Sequence, residues 1–379
     1  MQKYQNRKDE EMKVIMCGGG TAGHVNPAIA VAQELKSQQP NAKILFIGRE
    51  GGRENDLVTN AGFEVKTVKI QGLKRSFSPQ NVRSVFNALA ARRTAKQIIQ
   101  QFEPDVILGT GGYVCWPVIS AGSTLGIPVA IHESNLSAGL TTRLLSKKCD
   151  IVLLNRKETK EYLSKRVCTK VVGNPLRQDF SRITKDEARR RIGIKTGEIL
   201  IVSFGGSIGA EKINETMLEV IKKHSSVKSN VKHIHATGER YFSSLKEKAK
   251  KYEKDGCKIL PFIHNMPTVL RAADIAVCRS GAMTVSELEE AEVAAILIPS
   301  PNVTDDHQLK NAKYLSDKGA AELIEEKNLN AEELKSVLEK LENDENGRKK
   351  RAKNIKALST PDSAKSIVEE LILLKKSIN

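Results

Sequence analysis

Lys13-Val14-Ile15-Met16-Cys17-Gly18-Gly19-Gly20-Thr21-Ala22-Gly23-His24 decides how the rest of the chain is read: a β-branched run ends in a glycine-rich turn, and a helical pattern follows. Strand, turn and helix in that order open a parallel α/β unit. Pro27 is expected near the first turn of the helix, where its missing N–H costs little. Glycines bring the backbone close to a ligand and aim N–H groups at it, and the helix dipole then favours negative charge. The turn is no Walker A loop, since the Gly-Lys-Ser/Thr ending is missing, and only Gly18, Gly20 and Gly23 match the dinucleotide spacing. At this point it reads equally as a tight connection without ligand and as a phosphate cradle. His24 reads as a polar residue that orders the loop or as a base for an attacking hydroxyl.

The same grammar repeats outward. Short β-branched runs at 13–16, 44–47, 106–108, 129–132, 151–154 and 170–172 alternate with helix-length segments, and so do runs at 199–203, 231–235, 258–260, 275–278 and 295–298. Such alternation predicts parallel sheets covered on both faces. The pattern breaks between Asn174-Pro175 and Thr196-Gly197. The expected fold class is therefore α/β, two Rossmann-like doubly wound parallel-sheet domains facing across a cleft. The expected domains are 1–178 and 197–361 joined by a linker at 179–196, with a final helix at 362–379 as a candidate to pack on the first domain. In doubly wound sheets ligands bind beyond the carboxyl ends of the strands.

Three further turns lie at such ends. Gly109-Thr110-Gly111-Gly112-Tyr113 follows the strand at 106–108, and Gly205-Gly206-Ser207-Ile208-Gly209-Ala210 follows the one at 199–203. The Ser207 hydroxyl sits where it can donate to a phosphate oxygen. The fourth, Arg279-Ser280-Gly281-Ala282-Met283-Thr284-Val285-Ser286-Glu287, places small residues at a helix start and a carboxylate one to two turns in. Glu287 reads as an acceptor for both hydroxyls of a ribose, or as an ordinary early-helix acid favoured by the dipole.

Composition narrows the function classes. A chain of 379 residues fits two domains, and 40% hydrophobic with 28% charged residues is the make-up of a globular protein. The net charge of +16 fits nucleic acid, an anionic membrane surface or anionic small molecules. With aromatic residues at 4% and no nucleic-acid-binding signature, nucleic acid ranks last. The six cysteines are scattered without metal-ligand spacing, no apolar run is long enough to span a bilayer, and the first dozen residues lack the apolar core of a secretory signal. A reducing cytoplasm is the expected compartment.

Taken in order, Gly-Gly-Thr-Ala-Gly-His (19–24), Gly-Thr-Gly-Gly-Tyr (109–113), His-Glu-Ser-Asn (132–135), Val-Val-Gly-Asn-Pro-Leu-Arg (171–177), Gly-Gly-Ser-Ile-Gly-Ala (205–210) and Arg-Ser-Gly-Ala-Met-Thr-Val-Ser-Glu (279–287) resemble the MurG family of glycosyltransferase family 28. The likeness runs from the first strand to Asn311-Ala312. It implies the GT-B fold and inverting transfer of GlcNAc from UDP-GlcNAc to the C4 hydroxyl of MurNAc in undecaprenyl-diphospho-MurNAc-pentapeptide (lipid I), giving lipid II. It implies no cofactor and no metal, so Asp305-Asp306 is not read as a metal site.

Carried over by motif, UDP-GlcNAc is expected at Thr21, Ala22, Gly23, Asn135, Arg177, Ser207, Ile263, Ala282, Met283, Thr284, Val285, Ser286, Glu287 and Gln308. Gly20, Gly111, Gly112 and Tyr113 are candidates for the acceptor diphosphate, and His24 is the candidate general base. Two residues depart from the family pattern: Ala22 where glycine is common, which adds a methyl to a close-approach turn, and Ser134 where glutamine is common. Related diacylglycerol glycosyltransferases, and a non-catalytic nucleotide-sugar-binding protein, remain alternative readings.

A lipid-linked acceptor implies an anionic membrane surface as partner, peripheral attachment at the cytoplasmic face of the cell membrane, and other cell-wall synthesis enzymes nearby. Val82, Val85, Phe86 and Leu89 recur at helical spacing beside Arg83, Arg92, Arg93 and Lys96, with Lys66, Lys69, Lys74 and Arg75 before them. That stripe suits a membrane patch, and equally the core face of an ordinary amphipathic helix.

Overall fold

The computed structural model describes residues 11–52, 54–71, 79–177, 180, 183–225, 230–250 and 256–377. The chain divides into two compact units. Unit 1 comprises residues up to Leu176 together with those from Thr360 on, and unit 2 runs from Arg177 to Ser359. Among the described residues, unit 1 holds β1 (Lys13–Cys17), β2 (Lys43–Arg49), β3 (Glu64–Val68), β4 (Val106–Gly109), β5 (Val129–Glu133), β6 (Ile151–Leu154) and β7 (Thr169–Val171). They form one parallel sheet in the order β3-β2-β1-β4-β5-β6-β7. Its helices are α1 (Ala22–Gln38), α2 (Glu54–Asn60), α3 (Pro79–Phe102), α4 (Cys115–Thr124) and α5 (Leu140–Leu145).

Alternation along β1 shows why both faces are covered. Val14 and Met16 enter a core with Val25, Ala28 and Leu35 of α1, whereas Ile15 and Cys17 enter a second core with Ala95 and Ile99 of α3 and Val118 and Ile119 of α4. α1 begins at Ala22 behind Thr21, so Pro27 sits in its second turn rather than its first.

Unit 2 contains a second parallel sheet of β8 (Ile199–Phe204), β9 (Val231–Ala236), β10 (Cys257–Leu260), β11 (Ile275–Cys278), β12 (Ala294–Leu297) and β13 (Ala321–Leu323), ordered β10-β9-β8-β11-β12-β13. Around it lie α6 (Lys185–Ile192), α7 (Glu211–Ser225), α8 (Glu239–Ala249), α9 (Met266–Ala272), α10 (Ala282–Ala291), α11 (His307–Asp317), α12 (Ala331–Asn343) and α13 (Glu345–Lys356).

The segment 179–196, expected as a linker, carries α6 and belongs to unit 2. Thr184 caps this helix by accepting from the Glu187 N–H at 3.3 Å, and Gly193 ends it. Lys185 and Arg189 then reach Asp274 at 2.8 and 2.9 Å, which fastens the helix beside α9. The last helix, α14 (Ser363–Lys376), returns to unit 1 and packs on α1. Ile367, Val368 and Leu371 are fully buried in the core of Val14, Leu108 and Leu153, and Lys170 pairs with Glu370 at 2.5 Å.

Candidate active site

Sheet order fixes where ligands can lie. Strand order reverses between β1 and β4 in unit 1 and between β8 and β11 in unit 2. A crevice opens beyond the strand ends at each such switch point. The four glycine-rich turns are the connections that leave these four strands, two per unit.

In unit 1 the two turns are fastened together. The Thr110 N–H donates to Cys17 O at 2.9 Å, its hydroxyl donates to His24 O at 2.6 Å, and the Gly19 N–H donates to Gly111 O at 3.4 Å. Contact is closest at Gly112, where φ is +81° and a Cβ would stand 2.0 Å from Gly19 O. Only glycine meets both demands. Tyr113 packs its ring beside Gly20; burial pushes its phenol above the ordinary value, Arg49 opposes this and Glu54 adds to it.

His24 lies in the first turn of α1 with Nδ1 3.1 Å from Gly19 O and 3.3 Å from Thr21 Oγ1. A carbonyl only accepts, so Nδ1 carries the proton and Nε2 is the basic nitrogen of the neutral ring. The Gly20 N–H, offered by the sequence to a phosphate, is already used inside the protein: it donates to Glu54 Oε1 at 2.8 Å. Gly20, Thr21, His24, Gly111, Gly112 and Tyr113 are thus one cluster. Ala22 has the helical backbone that alanine adopts without strain, and its side chain lies outside the described residues.

Asn135 lies on the loop after β5, where its N–H and Nδ2 both donate to Glu133 Oε1, at 3.0 and 3.2 Å. Glu133 is buried and also accepts from the Gly139 N–H and the Thr142 hydroxyl, so one carboxylate shapes the whole loop. Ser134 is buried with its hydroxyl 3.4 Å from His132 Nδ1, and its carbonyl accepts from Asn155 and Asn174.

In unit 2 a cavity of about 570 Å³ is lined by Gly206, Ser207, Ile208, Arg279, Gln308 and Glu326, among others. Gly209, with φ +84°, lets the Ser207 turn pass Thr237 O, 2.1 Å from where a Cβ would stand. Arg279 ties the opposite wall by donating to Ile298 O, Pro299 O and Glu326. The Ser300 N–H donates to Gln308 Oε1 at 2.9 Å, which leaves the Gln308 carboxamide nitrogen as its donor end. Ser280 donates to Gln308 O at 2.8 Å and accepts at its carbonyl from Asn311.

Of the expected donor residues, Ser207 and Gln308 line this cavity; Ile263 and the stretch 282–287 do not. Ile263 is buried, so its side chain packs inward. Gly281 is the N-cap of α10 and contributes no side-chain cap. Glu287 is half-buried: enclosure of its carboxyl pushes the pKa up to about 7, against the exposed Arg177 guanidinium, which lowers it.

On α3, Ala91, Ala95, Ile98 and Ile99 form the core face, whereas Phe86 is 68% and Leu89 50% exposed. The stripe is therefore not the core face at these two positions. The side chains of Val82, Arg83 and Val85, and all of Lys74 and Arg75, lie outside the described residues. Sequence reading missed Leu140 and Leu144, exposed on α5 beside Arg143, and the cationic Lys147 and Lys148 that follow. It also missed Glu54, Glu133, Arg279 and Glu326. Arg279 and Glu133 stand within quoted motifs without a role assigned to them there, and nothing local marks Glu54 or Glu326. No helix among the described residues is long and apolar enough to cross a membrane.

Two parallel Rossmann-like sheets, each with a pair of glycine turns at its switch point, define a GT-B protein. Residues 14–154 match the glycosyltransferase family 28 N-terminal domain, and residues 200–367 match the glycosyltransferase family 28 C-terminal domain. The chain belongs to glycosyltransferase family 28, and it is a hexosyltransferase of that family. It is 41% identical over 359 residues to the UDP-N-acetylglucosamine–N-acetylmuramyl-(pentapeptide) pyrophosphoryl-undecaprenol N-acetylglucosamine transferase of Thermoanaerobacter sp., covering 94% of this chain and 98% of that one. The transferase of the same name from Acetivibrio thermocellus is also 41% identical, over 94% of this chain and 97% of that one. The crystal structure of Acinetobacter baumannii MurG superposes with a TM-score of 0.77 at 28% identity, over 96% of this chain and 99% of that one.

Proposed function

We propose that this chain transfers GlcNAc from UDP-GlcNAc to the C4 hydroxyl of MurNAc in lipid I, with inversion, to give lipid II for peptidoglycan synthesis. The observation that carries the reading is the pairing of turns at both switch points, on a chain that matches same-named transferases over nearly its whole length. Incubation with radiolabelled UDP-GlcNAc and lipid I tests it. Labelled lipid II is the expected product; transfer to diacylglycerol instead, or donor binding without turnover, would overturn it.

In this reading the reaction is a single in-line displacement at the anomeric carbon through an oxocarbenium-like transition state. His24 Nε2 takes the proton of the acceptor hydroxyl, and the turn around Gly111 and Gly112 faces the acceptor diphosphate. The Ser207 hydroxyl and the start of α10 at Ala282, Met283 and Thr284 stabilise the charge that develops on UDP. Gln308 donates to the sugar, and Glu287 accepts from the ribose. Asn135 and Arg177 complete the donor contacts, and Ile263 reaches the uracil through its main chain.

The raised Glu287 pKa gives the donor site a pH signature. Ribose hydroxyls donate to the carboxylate, so binding favours the ionised form and lowers the pKa below its free value of about 7. UDP-GlcNAc affinity is therefore full above pH 7 and falls as the pH drops, by about tenfold for each unit by which binding lowers the pKa. UDP-GlcNAc is the right probe because its diphosphate diester does not titrate in this range. Calorimetry at pH 7 in buffers of different ionisation enthalpy should detect proton release, and Glu287→Gln should abolish it. Release that persists in the variant would remove Glu287 from the ribose site.

The membrane reading places the enzyme peripherally on the cytoplasmic face, beside other cell-wall synthesis enzymes, with Phe86 and Leu89 in the interface and cations such as Arg92 and Arg93 against anionic headgroups. Phe86→Ser with Leu89→Ser should lower partitioning onto phosphatidylglycerol vesicles by about tenfold or more, since each side chain buries about 1.5–3 kcal/mol of apolar surface energy when fully inserted. Co-sedimentation reads this. Unchanged partitioning would move the patch elsewhere.

A further inference from the structure

The peptide group between Gly19 and Gly20 is held at both ends. Its N–H donates to Glu54 Oε1 at 2.8 Å, and its carbonyl oxygen stands 3.1 Å from His24 Nδ1. A trans amide points these two groups in opposite directions. One edge of the peptide is therefore set by a carboxylate, and the opposite edge fixes a ring. Glu54 lies 34 residues away in sequence, on α2, and only 8% of it is exposed.

A buried carboxylate is costly unless it is partnered. Arg49 Nε, at 3.9 Å from Glu54 Oε1, is too far for a hydrogen bond, so the Gly20 N–H is the short contact of that oxygen. Hydrogen bonds to an ionised acceptor are about twice as strong as neutral ones. An amide polarised at its N–H is also a better acceptor at its carbonyl.

We propose that Glu54 is a positioning residue for His24, acting through the Gly19–Gly20 peptide. Carboxylate, amide and imidazole form one polarised chain: Glu54 holds the peptide so that Gly19 O receives the Nδ1 proton, and this makes Nε2 the basic nitrogen of the ring. When the ring takes up the acceptor's proton, its positive charge is supported along the same chain. A third group that orients the base recurs in nucleophile–base systems; here a backbone amide stands between the two side chains. The inference rests on the reading of His24 as base.

Glu54→Gln tests it, because the amide oxygen still accepts from the Gly20 N–H while the charge is lost. The expected result is a fall in kcat of about tenfold, with the KM for UDP-GlcNAc within about twofold and an unaltered melting temperature. In a His24→Ala background the same substitution should change kcat by less than about twofold, since the two residues act as one unit. Nitrogen-15 spectra of labelled histidine should show Nδ1–H for His24 in the parent protein and a mixture of tautomers in Glu54→Gln.

Equal losses in both backgrounds, or parental kcat in Glu54→Gln, would overturn the proposal. Near-normal turnover of His24→Ala would instead sink the base assignment. In that case the histidine spectra decide the positioning claim, and an unaltered His24 tautomer in Glu54→Gln overturns it. If Glu54→Gln does not fold, the parent spectrum remains decisive, because a His24 without its Nδ1 proton contradicts the chain of contacts.

Discussion

His24→Ala is expected to lower kcat by about 10²- to 10⁴-fold while the KM for UDP-GlcNAc stays within about threefold. The range is that of a positioned general base. The split between the two constants follows from where the residues lie. His24 belongs to the turn cluster of unit 1, whereas Ser207, Gln308 and Glu287 belong to unit 2. The Nδ1 contact with Gly19 O also ranks the replacements. Asparagine can keep a donor near that carbonyl but offers no basic nitrogen, so His24→Asn should fold like the parent and be as slow as the alanine variant. Single-turnover transfer to lipid I, alongside equilibrium binding of UDP-GlcNAc, separates the steps. Comparable turnover in parent and both variants would show that the hydroxyl proton leaves by another route.

The second large effect is structural. Gly112→Ala places a methyl 2.0 Å from Gly19 O and 3.1 Å from His24 Nδ1, at φ +81°. The left-handed conformation alone costs alanine about 1–2 kcal/mol. The collision is with backbone, which cannot swing aside as the end of a side chain can. The two turns must separate, and the total should reach about 3 kcal/mol or more, among the larger effects of a point mutation. For a domain of this size that lowers the melting temperature of unit 1 by about 6–12 °C. Gly126→Ala is the control. Its φ is +72°, but nothing lies within 4 Å of the added methyl, so only the conformational cost remains. Equal melting temperatures for the two variants would show that the turns are not pressed together as described.

Much of this was readable in sequence because parallel strands buried on both faces are nearly continuous apolar runs. Eleven runs stand out, two of them, at 151–154 and 275–278, with the observed limits, and the run at 170–172 marks an edge strand that is itself largely exposed. β3 escaped because Glu-Val-Lys-Thr-Val is an edge strand with polar residues and no apolar run. β13 escaped because three residues, Ala-Glu-Leu, carry no period. The four turns were visible as glycine clusters, but their meaning was not. That they flank two switch points depends on β1 pairing with β4 and β8 with β11, across some 70 to 90 residues in each case, and pairing over such distances leaves no local trace. The same holds for Glu54, an ordinary first-turn acid of α2 until the fold brings it to Gly20. Pro27 shows the opposite error, a correct local rule applied one turn out of register.

The return of α14 to unit 1 bears on how the protein is made. Unit 2 is contiguous from Arg177 to Ser359, whereas unit 1 lacks part of one wall until residues from Thr360 on have been synthesised. During translation domains usually close in the order they emerge. Here the order inverts: the sheet around Val14, Leu108 and Leu153 leaves the ribosome first, yet with α1 alone that face is only partly covered and waits for Ile367, Val368 and Leu371. The later-born unit 2 can finish before it. A chain stalled or cut near residue 359 would then carry a complete unit 2 and an unsealed unit 1, a species for chaperones and proteases to find.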